Sequence, residues 1–540
     1  MADREVPIVI VGGSLVGLTF SCLLAAHRVP HLLVERHRGT AIHPRAASFH
    51  QRTMEIFRSV GLQQAVEEAA AREFIQNGAI VSVDMLSGRE LACWYRSFNE
   101  GVEGLSPTAR LFITQVGLEP VLRRRAEELG AETLFATDMT GFSQDADGVT
   151  VTLRPRDGGA EQCVRARWLI AADGAHSPVR RALGLGMHGH GGFADCVTIY
   201  FRADMRAMIG DRALSVVYVN RPELLAFFRF AITNDAGFLA VFATFDAHGE
   251  READVGDNLS AERCAELVRA ALGVAPDYPV AIDDVQPWTA TASTADAFRA
   301  GRVFLAGDAA HLMPPTGGFG GNTGVADAHN LAWKLALVEQ GLAGPALLDS
   351  YEAERRPICE LTVEQAYLRY VQRVDPSLPS GDLPAPLADP SIELGAIYRS
   401  AAIADPPPAG GDPLDDPHHP TGRPGTRVPH LMLASNGASL STHDLVGLGF
   451  ALVAGAAGGA WVDAARRLGQ ERGLPLAAHR VGADGDLTVP DDRFESLVGI
   501  GRDGAVLIRP DGVIGWRSEK PAADPAAALG DALTRILAMA

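Results

Sequence analysis

Two carboxylates stand directly after apolar runs that have the length of buried strands. Asp308 follows the run at 303–306, and Asp173 follows the run at 163–172. In open α/β sheets the ends of parallel strands are where ligands bind, and a carboxylate there can accept hydrogen bonds from ligand hydroxyls. The two acids therefore indicate a binding edge for a large polar ligand.

A glycine-rich loop follows Asp308. Residues 314–321 read PPTGGFGG, and the apolar spacing after them predicts a helix over 322–335. Glycines let a backbone approach a ligand closely, and a helix N-terminus favours negative charge. Taken alone, this segment could equally be a surface loop with a helix cap. Its candidate binding residues are Gly317, Gly318, Gly320, Gly321 and Asn322.

The N-terminal segment has the pattern of a dinucleotide-binding βαβ unit. An apolar run at 7–11 precedes GGSLVG, an apolar helix follows, and a second strand at 31–34 ends in Glu35. In such a unit Gly12 forms the tight turn, Gly17 lets helix and strand pack closely, and Glu35 binds a ribose 2′-hydroxyl. Ser14 replaces the middle glycine but could hydrogen-bond a phosphate. The pattern predicts FAD or NAD, because Glu35 disfavours a 2′-phosphate.

Polar residues near this unit add candidates for the same ligand. Arg36 and Arg45 lie in a basic segment after the ribose acid, which suits a pyrophosphate. A solvated basic loop explains each single arginine equally well. Gln115 stands at the head of a helix predicted over 114–124, and another helix is predicted over 46–60.

Composition narrows the class of protein. The chain has 540 residues, 47% hydrophobic and 21% charged, which is typical of a globular protein with two to four domains. A net charge of −18 argues against nucleic acid and anionic membranes. Six scattered cysteines without a CxxC pair, no spanning run and no signal peptide predict a cytoplasmic protein with reduced thiols. No histidine pattern predicts a metal site.

The rest of the chain falls into three parts. Alternating apolar segments from about 197 to 296 predict a mostly antiparallel sheet, whose aromatic residues could line an apolar pocket or form core. Residues 375–429 are rich in Pro, Asp and Gly, which is typical of linkers and loops. A last unit from about 430 contains apolar strands at 449–453 and 505–508 and an Arg-Pro-Asp-Gly turn.

Three motifs now identify a family. GGSLVGL with Glu35, ADGAHSPVR at 172–180 and GRVFLAGDAAH at 301–311 occur in order. Together they resemble the class A flavin-dependent aromatic hydroxylases with the p-hydroxybenzoate hydroxylase fold, in the phenol and polyketide hydroxylase group. The resemblance covers essentially the whole chain.

The resemblance implies an α/β fold with three structural units. A Rossmann-like FAD-binding domain would comprise 1–185 and 285–374, with an inserted, mostly antiparallel β-sheet substrate-binding domain at 186–284. Linker and wrapping loops would fill 375–429. A C-terminal thioredoxin-like domain at 430–540 lacks CxxC, so it would be structural and not redox-active.

The resemblance also implies roles for individual residues. Gly12, Ser14 and Gly17 would receive the FAD pyrophosphate, and Glu35 the adenosine ribose. Arg45 and Gln115 would contact FAD, and Asp308 would bind its ribityl chain. Pro315 would lie beside the isoalloxazine, and 317–322 would surround the pyrimidine end of that ring. Asp173 would contact both FAD and nicotinamide.

The implied reaction is aromatic hydroxylation. NADPH or NADH would reduce FAD, O2 would add at flavin C4a, and the hydroperoxide would transfer oxygen to a phenolic, polyketide-like ring. The catalytic candidates are Arg45, as a contact of a moving flavin, Pro315 beside the ring, and Tyr218 and Arg373 near the substrate. We expect a monomer or homodimer with a small aromatic substrate and no nucleic acid, membrane or metal.

Two alternatives remain at this point. A Baeyer–Villiger oxygenase or an oxidase of a related polyketide would need nearly the same sequence features. A non-enzymatic or NAD-only Rossmann protein is the other, and the segments around Asp308 and Pro315 argue against it.

Overall fold

The computed structural model describes residues 3–43, 47–245, 248, 250, 259–379, 381, 383–435, 437–489 and 493–539. The strands are β1 Arg4–Val11, β2 His31–Val34, β3 Ser48–Phe49, β4 Ala79–Val83, β5 Glu90–Tyr95, β6 Leu111–Phe112, β7 Glu132–Leu134, β8 Thr137–Gln144, β9 Val149–Pro155, β10 Gln162–Ala171, β11 Met187–Arg202, β12 Leu214–Arg221, β13 Leu224–Phe230, β14 Ala236–Thr244, β15 Ala281–Ala295, β16 Arg299–Ala300, β17 Val303–Leu305, β18 His311–Leu312, β19 Met432–Ser435, β20 Ala438–Ser441, β21 Phe450–Ala454, β22 Leu476–Arg480, β23 Ala505–Ile508 and β24 Ile514–Ser518.

The helices lie between groups of these strands along the chain. They are α1 Leu15–Ala26, α2 Gln51–Ser59, α3 Gln63–Glu73, α4 Gln115–Glu128, α5 Pro178–Ala182, α6 Arg206–Ile209, α7 Ala261–Leu272, α8 Phe319–Glu339, α9 Ser350–Arg373, α10 Asp389–Leu394, α11 Gly459–Arg472, α12 Arg493–Val498 and α13 Pro525–Ile536. Short 3-10 helices lie at Gly307–Ala309, Pro345–Asp349 and Thr442–Leu445. No helix in the described ranges is long and apolar enough to cross a membrane.

The first sheet is the nucleotide-binding one. Its order is β16-β17-β10-β1-β2-β7, with the β8–β9 hairpin attached to β10. Strands β17, β10, β1, β2 and β7 run parallel. The apolar run of β1 is fully buried at Ile8, Val9 and Ile10, as expected for a central parallel strand covered on both faces. Helix α1 packs against α8 on this sheet.

Two glycines allow the turn between β1 and α1. Gly12 has a φ of +106°, and a Cβ there would lie 2.1 Å from the carbonyl oxygen of Ala172 at the end of β10. A Cβ on Gly17 would lie 1.8 Å from the carbonyl oxygen of Gly12. Both positions therefore exclude any side chain, because backbone atoms occupy the space.

The second sheet is antiparallel except at one pairing. Its order is β18-β15-β11-β14-β13-β12-β4-β5, and β12 pairs with β4 in parallel. The sheet therefore includes strands from 79–95 and 311–312 in addition to those of the segment at about 197–296, where alternating apolar residues predicted an antiparallel sheet. One face packs against α7 through residues such as Phe201, Phe228 and Leu267. The other face meets α9 through Phe242 and Tyr370.

Two helices begin at other places than the sequence pattern indicates. Helix α8 begins at Phe319 and not at 322, so Gly320 and Gly321 lie in its first turn. Gly318 is the residue before the helix, with a φ of +67°, and this left-handed residue ends the loop. Helix α2 begins at Gln51 and not at 46, because β3 occupies 48–49 and pairs with β6.

The C-terminal unit is a small mixed sheet with helices. Its order is β22-β21-β23-β24, with β21 parallel to β22 and antiparallel to β23. Strands β23 and β24 form a hairpin through the Arg-Pro-Asp-Gly turn. The unit contains no cysteine, and the six cysteines elsewhere are free thiols. A dithiol redox role is therefore impossible for this unit.

Candidate active site

The carboxyl ends of four neighbouring parallel strands meet at one edge of the first sheet. Backbone hydrogen bonds of 2.8 to 3.0 Å join the strand ends in the order β17, β10, β1 and β2. Such an edge is where open α/β sheets bind their ligands. The residues that follow these strands are Asp308, Asp173, Gly12 and Glu35.

Glu35 is held rigidly at this edge. Its Oε2 accepts a hydrogen bond of 2.6 Å from the N–H of Gly13, and its Oε1 accepts one of 2.8 Å from the N–H of His37. The side chain is almost completely buried. The remaining lone pairs of a carboxylate fixed in this way suit the hydroxyl groups of a ribose. Arg36, the next residue, is exposed.

Glu119 organises the start of α1. Its Oε1 accepts hydrogen bonds from the Ser14 hydroxyl and, at 3.0 Å, from the N–H of Leu15, and its Oε2 accepts one of 2.7 Å from the N–H of Ala41. Gln115 donates to the same carboxylate at 3.1 Å. The hydroxyl proton of Ser14 is therefore directed to Glu119, so the phosphate contact suggested for Ser14 would need its backbone.

Asp173 carries an unused acceptor. Its Oδ2 accepts a hydrogen bond of 3.1 Å from the N–H of Val179, whereas its buried Oδ1 has no hydrogen-bond partner among the described residues. Burial raises the pKa of this carboxyl. An orphaned buried acceptor at the binding edge fits a ligand that brings a hydroxyl or an amide.

Asp308 is exposed in the first turn of the 3-10 helix that follows β17. Behind it, Asp327 of α8 accepts hydrogen bonds from the N–H of Gly307 at 3.0 Å and from Arg355 Nε at 2.8 Å. His311 lies 2.7 Å from the same carboxylate. Asp327 therefore holds the Gly-Asp segment in place.

His311, Asp327 and Cys359 place ligand atoms within 4.8 Å of one another. Arg355 already neutralises Asp327 there, so a metal cation would meet a like charge.

The glycine loop is fastened to α9. The N–H of Gly318 donates to the carbonyl of Pro315 at 3.0 Å, and the hydroxyl of Thr316 donates to the carbonyl of Ala366 at 2.7 Å. Pro315 is exposed at the top of this turn. The loop therefore presents Pro315 and the adjoining glycines outward while its base is fixed.

Asn322 ties three segments together. Its Oδ1 accepts hydrogen bonds from the N–H of His50 at 2.9 Å and the hydroxyl of Thr53 at 2.6 Å, and its Nδ2 donates to the carbonyls of Ser48 at 2.9 Å and Gly318 at 2.7 Å. The side-chain oxygen and nitrogen of Asn322 are thus each committed to two hydrogen bonds within the protein. A contact between Asn322 and a ligand would therefore come from the backbone N–H groups of the first turn of α8.

The structure brings Tyr218 and Arg373 together although 155 positions separate them (373 − 218). The guanidinium of Arg373 lies 5.6 Å from the ring centre of Trp94. Trp94 contacts Tyr218 edge-on with ring centres 4.8 Å apart. Burial raises the pKa of Tyr218, so its hydroxyl stays protonated at neutral pH.

Helix α9 links this aromatic site to the glycine loop. Arg369, about 6 Å along the helix from Arg373, lies 5.2 Å from the ring centre of Phe319, the first residue of α8. Met313, just before the loop, packs with Val363 and Tyr367 of α9. A ring bound beside Tyr218 would thus lie next to a ligand bound at the loop.

The aromatic residues of the second sheet divide between its two faces. Phe201, Phe228 and Phe230 belong to the core beneath α7 and cannot line a site on the other face. On the α9 side, Phe227 contacts Tyr218, Phe238 and Phe242 with ring centres 5.6 to 5.8 Å apart. The alternation of β strands explains the division, because neighbouring side chains point to opposite faces.

Sequence reasoning missed Glu119 and the side-chain role of Asn322. The signal for Glu119 was its spacing of four residues from Gln115 on one helix. Arg45 lies outside the described residues, so its assignment stays a prediction.

The residues at this edge fit FAD. Glu35 can bind a ribose, and the glycine turn before α1 leaves room for a phosphate. The unpaired Oδ1 of Asp173 and the glycine loop follow in the order that such a cofactor needs.

Comparisons with known proteins agree with this site. Residues 5–366 match the family described as FAD binding domain, and residues 421–540 match the family described as aromatic-ring hydroxylase, C-terminal. The chain is 47% identical to 4-methyl-5-nitrocatechol 5-monooxygenase of Burkholderia sp, over 99% of this chain and 98% of that protein. It is 40% identical to tetracenomycin A2 monooxygenase-dioxygenase of Streptomyces glaucescens, over 100% of this chain and 98% of that protein.

A solved structure shows the same fold. The ternary complex of aklavinone-11 hydroxylase with FAD and aklavinone matches with a TM-score of 0.92 at 37% identity, covering 100% of each chain. The predicted α/β fold class, the FAD cofactor and the family resemblance are thereby confirmed. The chain therefore belongs to the FAD-dependent aromatic-ring hydroxylases and is a flavin-dependent monooxygenase.

Proposed function

We propose that this monooxygenase hydroxylates a phenolic ring bound between the second sheet and α9, with Tyr218 and Arg373 at the phenolic oxygen. The observation that supports the proposal is that both side chains contact Trp94 inside a group of aromatic rings. Aromatic walls bind a flat apolar ring, and a small number of polar groups fix its orientation.

The two side chains have complementary tasks. The positive guanidinium of Arg373 favours the ionised form of a neighbouring phenol. The Tyr218 hydroxyl, whose pKa is raised by burial, can donate a hydrogen bond to the phenolic oxygen. A phenol held closer to its ionised form has a more electron-rich ring, which is the form that accepts an electrophilic oxygen atom.

The cofactor supplies the oxygen chemistry that no side chain can perform, with NADPH or NADH as the transient reductant and O2 as co-substrate. We assign FAD contacts to Gly12, Ser14, Gly17, Glu35, Arg36, Arg45, Gln115, Asp173, Asp308, Pro315, Gly317, Gly318, Gly320, Gly321 and Asn322. Through its unpaired Oδ1, Asp173 would serve the flavin and the nicotinamide.

The two sheets and the C-terminal unit support the proposed domains. We retain an FAD-binding domain at 1–185 and 285–374, a substrate-binding domain at 186–284 and a C-terminal domain from 430, with linker between. The strands at 79–95 complete the substrate sheet from outside its main segment.

The substrate is either a polyketide-like phenol or a small catechol. Relatives named for tetracenomycin A2 and aklavinone point to the first, and the relative named for 4-methyl-5-nitrocatechol points to the second. Both are phenols, and a nitro group makes a phenol more acidic. An acidic phenol would gain most from the charge of Arg373.

The test is oxidation of NADPH and NADH by the FAD-loaded protein with each phenol class. A rate that rises with one class, and a product one oxygen atom heavier with its carbon ring intact, would support the proposal. An oxygen inserted into the ring would identify a Baeyer–Villiger reaction, and a product without added oxygen would identify an oxidase. Either of these results would overturn the hydroxylation proposed here.

A further inference from the structure

The glycine loop is held by two helices. Helix α2 holds it through Asn322, which accepts hydrogen bonds from the N–H of His50 and the hydroxyl of Thr53. Helix α9 holds it through the bond from the Thr316 hydroxyl to the carbonyl of Ala366. The position of the loop therefore depends on where α2 and α9 lie.

Helix α2 is in turn held by the C-terminal region. The carboxylate of Glu55 accepts hydrogen bonds from Arg427 Nε at 3.0 Å and from Arg52 Nη1 at 2.9 Å. Arg52 also donates to the carbonyl of Asp511. Arg58 forms two hydrogen bonds with Asp444, at 2.7 and 2.9 Å. Three charged side chains of one short helix thus contact residues 427–511.

The contact between Glu55 and Arg427 is buried. The side chains of Glu55 and Arg427 are only 2% and 8% exposed, and burial strengthens a charge pair whose geometry is good. Although burial opposes the ionised form, Arg427, His443 and Arg52 hold the pKa of Glu55 well below its usual range. The pair therefore fixes the position of α2 firmly.

Helix α9 has a matching contact. Arg509, in the turn between β23 and β24, forms hydrogen bonds of 2.6 and 3.0 Å with Glu354 of α9, and both side chains are fully buried. Lys334 of α8 joins the same carboxylate at 2.8 Å. The C-terminal unit therefore contacts both helices that hold the loop.

Docking of the unit does not depend on these charges alone. Trp333 and Leu337 of α8 pack into its apolar core with Phe450 and Trp461. The ring centres of Trp333 and Phe450 are 5.9 Å apart. The apolar contacts hold the unit against α8, whereas the charged pairs are directional and set the orientation of the unit. Loss of one pair should thus shift the helices without detaching the unit.

We propose that residues 421–540, which are the C-terminal unit and the end of the linker before it, position the flavin loop, with Arg427 and Arg509 acting on Glu55 of α2 and Glu354 of α9 as the positioning contacts. The proposal rests on the placement of the flavin at the glycine loop given above. It assigns a task to a unit that has no cysteine and no residue at the binding edge. Through α2 and α9, this unit sets the position of residues 315–322.

The test compares Arg427→Met with Arg472→Met. Arg472 is a half-buried arginine of the same unit that donates to the carbonyl of Gly530 and the hydroxyl of Thr534. We expect Arg427→Met to raise the Kd for FAD about tenfold, which corresponds to about 1.4 kcal/mol, and to change the visible spectrum of the bound flavin. Arg472→Met should leave both within about twofold of the parent protein.

Hydrogen exchange of the full FAD-loaded chain provides the second readout. Exchange at 315–322 should accelerate in Arg427→Met and stay unchanged in Arg472→Met. If Arg427→Met fails to fold, Arg58→Met at the exposed rim of the same contact should show a smaller change in the same direction.

Unchanged FAD affinity, spectrum and loop exchange in Arg427→Met and Arg58→Met would overturn the proposal, even if the melting temperature falls. None of these readouts requires a phenol, so failure of the proposed substrate chemistry would be distinguishable from failure of this proposal.

Discussion

The hydroxyl of Tyr218 and the guanidinium of Arg373 are the groups through which this enzyme is expected to act on its substrate. Tyr218→Phe keeps the ring contacts with Trp94 and Phe227 but removes the proton donor. We expect kcat/KM for a phenol to fall about 100-fold, the scale of a lost proton-transfer or charge-stabilising contact. Steady-state oxidation of NADPH with product analysis measures it.

Two controls test whether the expected loss of kcat/KM is specific to the Tyr218 hydroxyl. Tyr278→Phe removes a hydroxyl that donates to the carbonyl of Asp204, beneath α7, and should leave kcat/KM unchanged. The Kd for FAD should not change in either variant. An equal loss in both tyrosine variants would contradict the assignment of Tyr218.

Glu119 is the residue on which the start of α1 depends. Glu119→Ala would leave the Ser14 hydroxyl and the N–H groups of Leu15 and Ala41 without their acceptor. We expect the free energy of unfolding to fall by about 2 kcal/mol, since the buried N–H of Leu15 would lose its acceptor and an unpaired buried donor costs roughly 1 to 3 kcal/mol. The Kd for FAD should rise at least about tenfold.

Urea unfolding and a fluorescence titration of the apoprotein with FAD measure these two changes. Glu128→Gln, at an exposed position on the same helix, is the control and should alter neither. If Glu119→Ala binds FAD as tightly as the parent protein, the carboxylate does not organise the phosphate turn.

Among the structural elements, the β1–α1 turn is the least tolerant of change. A methyl group on Gly17 would lie 1.8 Å from the carbonyl oxygen of Gly12, so the helix must move away from the strand. We expect Gly17→Ala to lower the free energy of unfolding by about 3 kcal/mol and to abolish FAD retention during purification. Absorbance of the purified protein near the flavin bands measures retention.

The matched control is Gly141→Ala on β8, where an added Cβ meets no atom within 4 Å. This variant should purify with FAD bound and melt close to the parent protein. Retention of flavin in Gly17→Ala would show that the turn can relax at little cost.

At the same scale, the boundaries of elements were harder to predict than their existence. The strands at 31–34 and 505–508 are correctly placed by their apolar runs, because each is bounded by turn residues. The predicted start of α8, at 322, was wrong by three residues. Glycines at 320 and 321 suggest a loop by propensity, but packing of α8 against α1 and the hydrogen bonds of Asn322 carry the helix through them.

For the whole molecule, the contacts of the C-terminal unit should make stability dependent on pH in acid. The pKa of Glu55 is held well below its usual value of 4.5, as burial is outweighed by Arg427, His443 and Arg52. Between pH 4.5 and the folded pKa, the unfolded chain therefore binds more protons than the folded chain does. The stabilising contribution is therefore complete above about pH 4.5 and is lost as the pH falls through the folded pKa.

The expected change is about 1.4 kcal/mol per pH unit for this carboxyl. Glu55→Gln cannot titrate, so its deficit relative to the parent protein should shrink by that amount per unit below about pH 4.5. Urea midpoints from pH 7 to pH 3 measure it, with exposed Glu68→Gln as the control. A deficit that stays constant with pH would mean that folding does not lower the pKa of Glu55.

The sequence by itself determined the binding edge of this protein. Gly12, Glu35, Asp173 and Asp308 each follow an apolar strand, and the carboxyl ends of neighbouring parallel strands must meet at one edge. Local pattern therefore sufficed to predict a sheet that binds FAD or NAD, and the resemblance of three motifs to a known family implied FAD. The antiparallel character of the second sheet also follows from its alternating residues.

Only the tertiary structure decided which distant residues meet. Tyr218 and Arg373 both contact Trp94 because α9 packs on the face of the second sheet to which Tyr218 points. Arg427 reaches Glu55 because the C-terminal unit docks on α8. The pairing of β4 with β12 is of the same kind. Such contacts depend on the complementary shape and charge of surfaces far apart in the chain, which no local period of the sequence encodes.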